Sequence, residues 1–260
     1  MSIFFQVLAS GSKGNSILVC SAKTRVLVDA GCTCKELVKR LQKTPVEARS
    51  LDGILITHEH SDHVNGAGTL SRRFDLPVYM TRGTLDHLPA KVAIRGATIF
   101  ETGKAFQIGD LKIVPFATSH DAAESAGFVI ENDGVRLGIC TDLGVATNLV
   151  KVRLQECNAL VLESNHDVEM LHNGPYPWDL KQRIKSPHGH LSNEEACDLL
   201  EAVHHERLRS VVLAHLSETN NHPDLVIESC RLLRHRSPHW ECVRFELGKQ
   251  NDLAPGIEVE

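Results

Sequence analysis

The sequence predicts a single α/β (α+β) domain over residues 1–260, and three observations carry that expectation. Short β-rich apolar runs alternate with helical patterns from end to end, with no repeat, low-complexity stretch or long linker to divide them. Hydrophobic content of 42% with 23% charged residues is enough to bury a sizeable core. Most informative, six of the apolar runs each finish on a metal-competent or acidic residue.

The opening, IFFQVLASGSKGNSILVCSAKTRVLVDAG, reads as three strands joined by Gly/Ser/Asn/Lys turns. Its SGSKGN turn, Ser10 to Asn15, offers amides and Lys13 to a phosphate, although a plain hairpin turn accounts for it more simply. Thr33 and Glu36 have capping-box spacing ahead of a helix with Leu37, Val38 and Leu41 on one face. Helices are expected from Ala67 to Phe74 and from Asn148 to Glu156. Ser192 with Glu195 caps another through Leu199, Leu200 and Val203, and Pro223 opens a last one carrying Leu225, Leu232 and Leu233. Residues 249–260 read as a flexible tail.

The runs TRVLVD, DGILITH, LKIVPFATSH, GVRLGICTD and RSVVLAH end on Asp29, His58, His120, Asp142 and His215, while NALVLESNH brings Glu163 and His166 to a sixth end. Strands whose C-terminal ends share one sheet edge would gather these residues there. GILITHEHSDHVNG adds His60, Asp62 and His63 beside His58. The set then divides into His58, His60 and His120 for one divalent ion and Asp62, His63 and His215 for a second, with Asp142 shared. Two such ions make a hydrolytic site that activates water near neutral pH. Zinc suits the imidazoles best, with manganese or iron(II) as alternatives. Asp29 is expected to orient a ligand histidine, or else to cap the turn before Gly31.

His58-x-His60-x-Asp62-His63, followed by a lone His, a lone Asp and a final His, resembles the metallo-β-lactamase superfamily. That resemblance implies a four-layer αββα sandwich with two ions at one edge. LASGSKGNS, LVDAG, TSHD, LGICTDLG, LESNHD, GPYPWDLKQRI, GHLSNEEA and LAHLSETNN further resemble the bacterial YycJ/WalJ group. This implies phosphodiesterase or exonuclease action on DNA, with a link to DNA repair. Secreted β-lactamases usually lack the bridging aspartate, and flavodiiron proteins place a carboxylate where His60 stands. A thioesterase like glyoxalase II shares all seven ligands, so it stays as an alternative, as does a small-molecule phosphodiesterase.

His190, just before the Ser192 cap, resembles the histidine of tRNase Z that assists the departing oxygen, and Glu163 resembles its partner acid, with His166 competing for that role. Asp62 is also assigned to orienting the attacking water. Lys181, Arg183 and Lys185 make a basic cluster in an acidic chain, and Trp178 and Tyr176 just upstream can stack on a base. With Ser192, these are the candidate substrate contacts.

A net charge of −5 argues against coating nucleic acid by bulk electrostatics, but leaves room for DNA in a local basic groove. The N-terminus has no signal-peptide pattern and no apolar run spans a membrane, so a cytoplasmic protein without membrane contact is expected, as monomer or homodimer. Eight scattered cysteines read as reduced and mostly buried, and Cys32-x-Cys34 receives no role.

Overall fold

The computed structural model describes residues 2–260. The strands are β1 (Ile3–Ala9), β2 (Ser16–Cys20), β3 (Arg25–Val28), β4 (Gly53–Leu55), β5 (Val78–Met80), β6 (Thr98–Ile99) and β7 (Phe106–Ile108). They continue with β8 (Leu111–Ala117), β9 (Ala126–Asn132), β10 (Val135–Cys140), β11 (Ala159–Glu163), β12 (Ser210–Ala214), β13 (Arg244–Leu247) and β14 (Ile257–Val259). Two seven-stranded sheets result, ordered β14-β1-β2-β3-β4-β5-β6 and β13-β12-β11-β10-β9-β8-β7.

Period-two alternation builds the layers. Ile3, Phe5 and Val7 of β1 face Phe128, Ile139, Val161 and Val212 of the second sheet, making the central core. The outer face of the first sheet sends Leu8, Leu18, Leu27 and Ile54 against Leu37, Leu41 and Leu70 of the helices Cys34–Leu41 and Ala67–Phe74. The outer face of the second sends Val129, Leu160, Leu162 and Leu213 against the helices Asn148–Leu154, Asn193–Val203 and Pro223–Arg236. The four-layer αββα sandwich is therefore observed, as one domain.

Pairing directions decide where the polar strand ends go. β3 and β4 are parallel, as are β10, β11 and β12. β8 is antiparallel to β9 and β9 to β10, so β8 runs the same way as β10. Within each sheet the polar strand ends therefore lie at one edge, and cross-sheet contacts such as His63 Nε2 to Asp142 Oδ2 at 3.3 Å bring the two edges to a common rim.

Three local expectations need correction. The terminal segment does not fray: β14 pairs with β1, and Ala254, Ile257 and Val259 enter the central core. Burying those side chains outweighs the Pro/Gly turn composition around them. On the helix Pro223–Arg236 the buried positions are Val226, Cys230 and Leu233, whereas Leu232 is 47% exposed. Thr33 caps the backbone of Glu36, but the Glu36 carboxylate turns to Arg40 at 2.8 Å. Ser192 and Glu195 do form the reciprocal box. Among the described residues no helix is long and apolar enough to cross a membrane.

Candidate metal centre

The rim is assembled by tight backbone contacts. His60 sits at the N-cap of the short helix Ser61–Val64, which carries Asp62 and His63 on its first turn. This helix lies directly on the Asp29–Gly31 turn: Ala30 N donates to His63 O at 2.8 Å, and Asn15 N donates to Asp62 O at 2.8 Å. A Cβ on Gly31 would stand 1.6 Å from the Asp62 carbonyl oxygen, so only glycine admits this approach. Asp29, Asp142 and His215 all have left-handed backbone, with φ of 61°, 56° and 56°. That conformation costs an L-residue roughly 1–2 kcal/mol, and sheet pairing just upstream of each holds it in place.

The imidazoles are oriented from behind. His63 Nδ1 donates to Asp29 Oδ2 at 2.7 Å, and Asp29 also accepts from Thr57 N at 2.9 Å. His215 Nδ1 donates to Glu163 Oε1 at 2.9 Å, and His120 Nδ1 to Gly189 O at 3.1 Å. His58 Nδ1 lies 2.9 Å from Thr57 Oγ1. Each of these rings therefore presents Nε2 to the common centre, while His60 presents Nδ1. There His60 Nδ1 is 3.1 Å from His58 Nε2 and 3.3 Å from His120 Nε2. His63 Nε2 is 3.4 Å from Asp62 Oδ2 and 3.3 Å from Asp142 Oδ2, and Asp142 Oδ1 is 3.8 Å from His120 Nε2.

This donor set fits divalent cations. His58, His60 and His120 form one group able to hold an ion, and Asp62, His63 and His215 another. Asp142 Oδ2 and His215 Nε2 are buried with no hydrogen-bond partner, an arrangement that is costly unless a cation completes it. Electrostatics tell the same story. Burial, reinforced by the rings of His63, His120 and His60, pushes the His58 pKa well below the ordinary imidazole value. Burial would do likewise to His63 and His215, but Asp142 with Asp29 and Asp62 around the first, and Asp142 with Asp62 and Glu163 around the second, raise both. Burial would raise the Glu163 carboxyl, yet His190 and His215 hold it well below its usual range.

A family profile described as "Beta-lactamase superfamily domain" matches residues 24–216. The chain belongs to the metallo-β-lactamase superfamily. It is 40% identical over 228 residues to the exodeoxyribonuclease YycJ of Bacillus anthracis, covering 86% of each chain. It is 37% identical over 226 residues to the exodeoxyribonuclease WalJ of Streptococcus pneumoniae, covering 85% of this chain and 84% of that one. The metallo-β-lactamase fold protein YhfI of Bacillus subtilis superposes over 99% of both chains at a TM-score of 0.75, with 18% identity. The fold, the donor cluster and the relatives together make this a metal-dependent hydrolase of that superfamily.

A cleft of about 260 Å³ opens over the donor cluster, lined by His60, Asp62, His120, Asp142 and His215 and also by Tyr176, Leu180, Arg183 and Ile184. His190 faces it, with Nδ1 donating to Glu163 Oε1 at 2.8 Å, and Glu163 Oε2 also accepts from Leu143 N and Leu191 N. Burial lowers the His190 pKa and Glu163 more than offsets it, so the net shift is upward. His166 is not the partner acid's rival: its Nδ1 is buried without a hydrogen bond, and it meets Ser192 through an isolated bridge.

The expected substrate residues divide. Arg183 lines the cleft. Lys181 Nζ donates to the His172 carbonyl, and Lys185 is the C-cap of the helix Trp178–Ile184; neither lines it. Trp178 is 66% exposed and also outside the cleft, while Tyr176 is inside. Ser192 is buried, its hydroxyl accepting from Glu195 N as a cap, which removes it from any substrate. A seven-residue helix has room for only one face on the cleft, and spacing 176-180-183/184 takes it. Sequence reading missed Asn15, whose Nδ2 lies 3.2 Å from Asp62 Oδ2, and Asp121, 3.3 Å from His120 Nε2. Asp121 follows the ligand histidine directly, which was a usable signal; Asn15 gave none, because the packing of its turn on the Ser61–Val64 helix is not local.

Proposed function

We propose that the chain is a binuclear phosphodiesterase that removes nucleotides from DNA ends. The observation that carries this reading is His190, held by Glu163 at 2.8 Å and facing the cleft beside the donor cluster. A phosphodiester expels an alkoxide, so a positioned imidazolium is useful as general acid, whereas an expelled thiolate needs far less help.

His58, His60 and His120 would hold one ion, Asp62, His63 and His215 the other, and Asp142 would be shared. Zinc suits this nitrogen-rich set, and manganese or iron(II) is compatible with its carboxylates. When bound, such ions supply Lewis acidity and lower the pKa of coordinated water towards neutrality. Asp62, partly open to the cleft, accepts a hydrogen bond from the attacking water and orients it. Glu163 keeps His190 protonated on Nδ1 and turned to the cleft, and His190 Nε2 delivers a proton to the departing oxygen. The curated relatives bearing the name exodeoxyribonuclease support DNA as substrate.

The test is metal-loaded protein on 5′- and 3′-labelled single- and double-stranded DNA, run beside bis-p-nitrophenyl phosphate and a glutathione thioester. Release of mononucleotides with two equivalents of metal is expected. Turnover of the thioester alone, or one equivalent at saturation, overturns the reading.

A further inference from the structure

The helix Trp178–Ile184 is unusual in this fold because none of its residues is buried. Its cleft face nonetheless presents Leu180 and Ile184, with Tyr176 just ahead, to the donor cluster. It is moored at its C-terminal end, where His190 N donates to Ile184 O and a Cβ on Gly189 would stand 2.1 Å from that same oxygen. Across the cleft it is joined by one largely exposed ion pair. The Arg183 guanidinium grips one carboxylate oxygen of Asp121 through both Nε and Nη2. The other oxygen of Asp121 lies 3.3 Å from His120 Nε2 and 3.9 Å from His60 Nε2. Arg183 is therefore one carboxylate removed from the candidate cation-binding cluster, with its side chain 63% exposed.

We propose that Arg183 is the substrate-phosphate clamp of this enzyme and that Asp121 is a positioning residue which holds it in the cleft until a phosphate exchanges for it. The Nε and Nη2 donors that converge here on one carboxylate oxygen can equally take an oxygen of a phosphate, because a guanidinium recognises both anions. A solvent-exposed Arg–Asp pair is worth little, so a phosphodiester anchored beside it displaces the carboxylate at small cost. Tyr176, Leu180 and Ile184 then meet the flanking nucleoside, an apolar and stackable group, while Arg183 takes a non-bridging phosphate oxygen. Lys181 and Lys185 lie outside the cleft lining and make no such contact. The inference rests on the nuclease reading above and adds the residues that recognise the nucleotide.

A staple and a reservoir predict opposite things. If Arg183–Asp121 only fastens the helix, Arg183→Ala and Asp121→Asn both loosen it and both raise KM for labelled DNA. If Asp121 competes with phosphate, Arg183→Ala raises KM by roughly 10- to 100-fold, the value of a charge-assisted hydrogen-bonded pair, while Asp121→Asn lowers it. Arg183→Lys, which keeps the charge without the fork, recovers part of the loss. Leu180→Ser raises KM for DNA more than for methyl p-nitrophenyl phosphate, which carries no nucleoside. Parallel KM changes in Arg183→Ala and Asp121→Asn, an Arg183→Ala KM within twofold of wild type, or metal lost from Asp121→Asn would each overturn the exchange. A wild-type enzyme that cleaves neither DNA nor the small diester would instead remove the nuclease reading, and this one with it.

Discussion

The two walls of the cleft are built by opposite strategies. On the sheet side, His58, His63, Asp142, Glu163 and His215 are all buried, and the ligand imidazoles are fixed from behind by Asp29, Glu163, a threonine hydroxyl or a main-chain carbonyl. On the helix side, residues 178–184 have no buried member and depend on end contacts and one exposed ion pair. The difference follows from what each wall must do. A cage for cations needs donors held to fractions of an ångström, and only sheet ends locked by two cores provide that. Under the proposed nuclease reading, the opposite wall has a different task, receiving a substrate, and its residues stay partly solvent-exposed.

The sharpest way to break this comparison is Asp142→Ala. It should lower metal content and cut DNA hydrolysis by more than the roughly 100-fold limit expected for an outer partner. Elemental analysis beside the labelled-DNA assay checks it, and full metal loading with near-normal rate would dismantle the shared-carboxylate reading. Next comes His190→Ala, expected to lower kcat by roughly 10²- to 10⁴-fold with metal retained. Loss of metal instead would place His190 in the cage. Asp29→Ala removes the partner of His63 Nδ1, and should weaken metal affinity by about 10- to 100-fold in a chelator competition, with little change in kcat once metal is saturating.

Proton linkage sharpens the picture further. Burial opposes the protonated forms of His63 and His215, but the surrounding carboxylates win, so in the metal-free protein both pKa values lie above the ordinary imidazole value. Protons held there near neutral pH must leave when a cation arrives. Each displaced proton should make apparent affinity fall about tenfold per unit as pH drops. Calorimetric titration in buffers of different ionisation enthalpy would register the release, and buffer-independent heats would contradict it. The smallest effect is reserved for Trp178→Ala, a change on the solvent face of the outer wall. Its KM for DNA should stay within about twofold, since an exposed aromatic that stacks on no base contributes little.

Legibility in the sequence tracks locality. Capping at Ser192, the proline-led last helix and the strand runs are encoded within a few residues, and they appear as read. The clustering of the candidate ligands was legible because strand-end position is itself local, and parallel pairing brings like ends to one edge. What failed was anything resting on which face a short element would bury. Trp178 and Ser192 looked like substrate contacts by proximity to the basic cluster, but one points to solvent and the other caps a helix. The terminal segment looked frayed because composition ignores an apolar-polar-apolar triplet that completes an open sheet edge.

The amino-acid order alone specified the alternating strands and helices and the polar residues at the strand ends, because periodicity and strand-end chemistry are local, while the αββα layering was expected only through the resemblance of the HxHxDH run and its companions to the superfamily. Only the tertiary structure decided that Glu163 rather than His166 supports His190, that Asp121 answers Arg183 across the cleft, and that residue 31 must be glycine. Those pairings join positions dozens of residues apart. They exist because two sheets, packed through one core, fix the distance between rims that the chain alone leaves free.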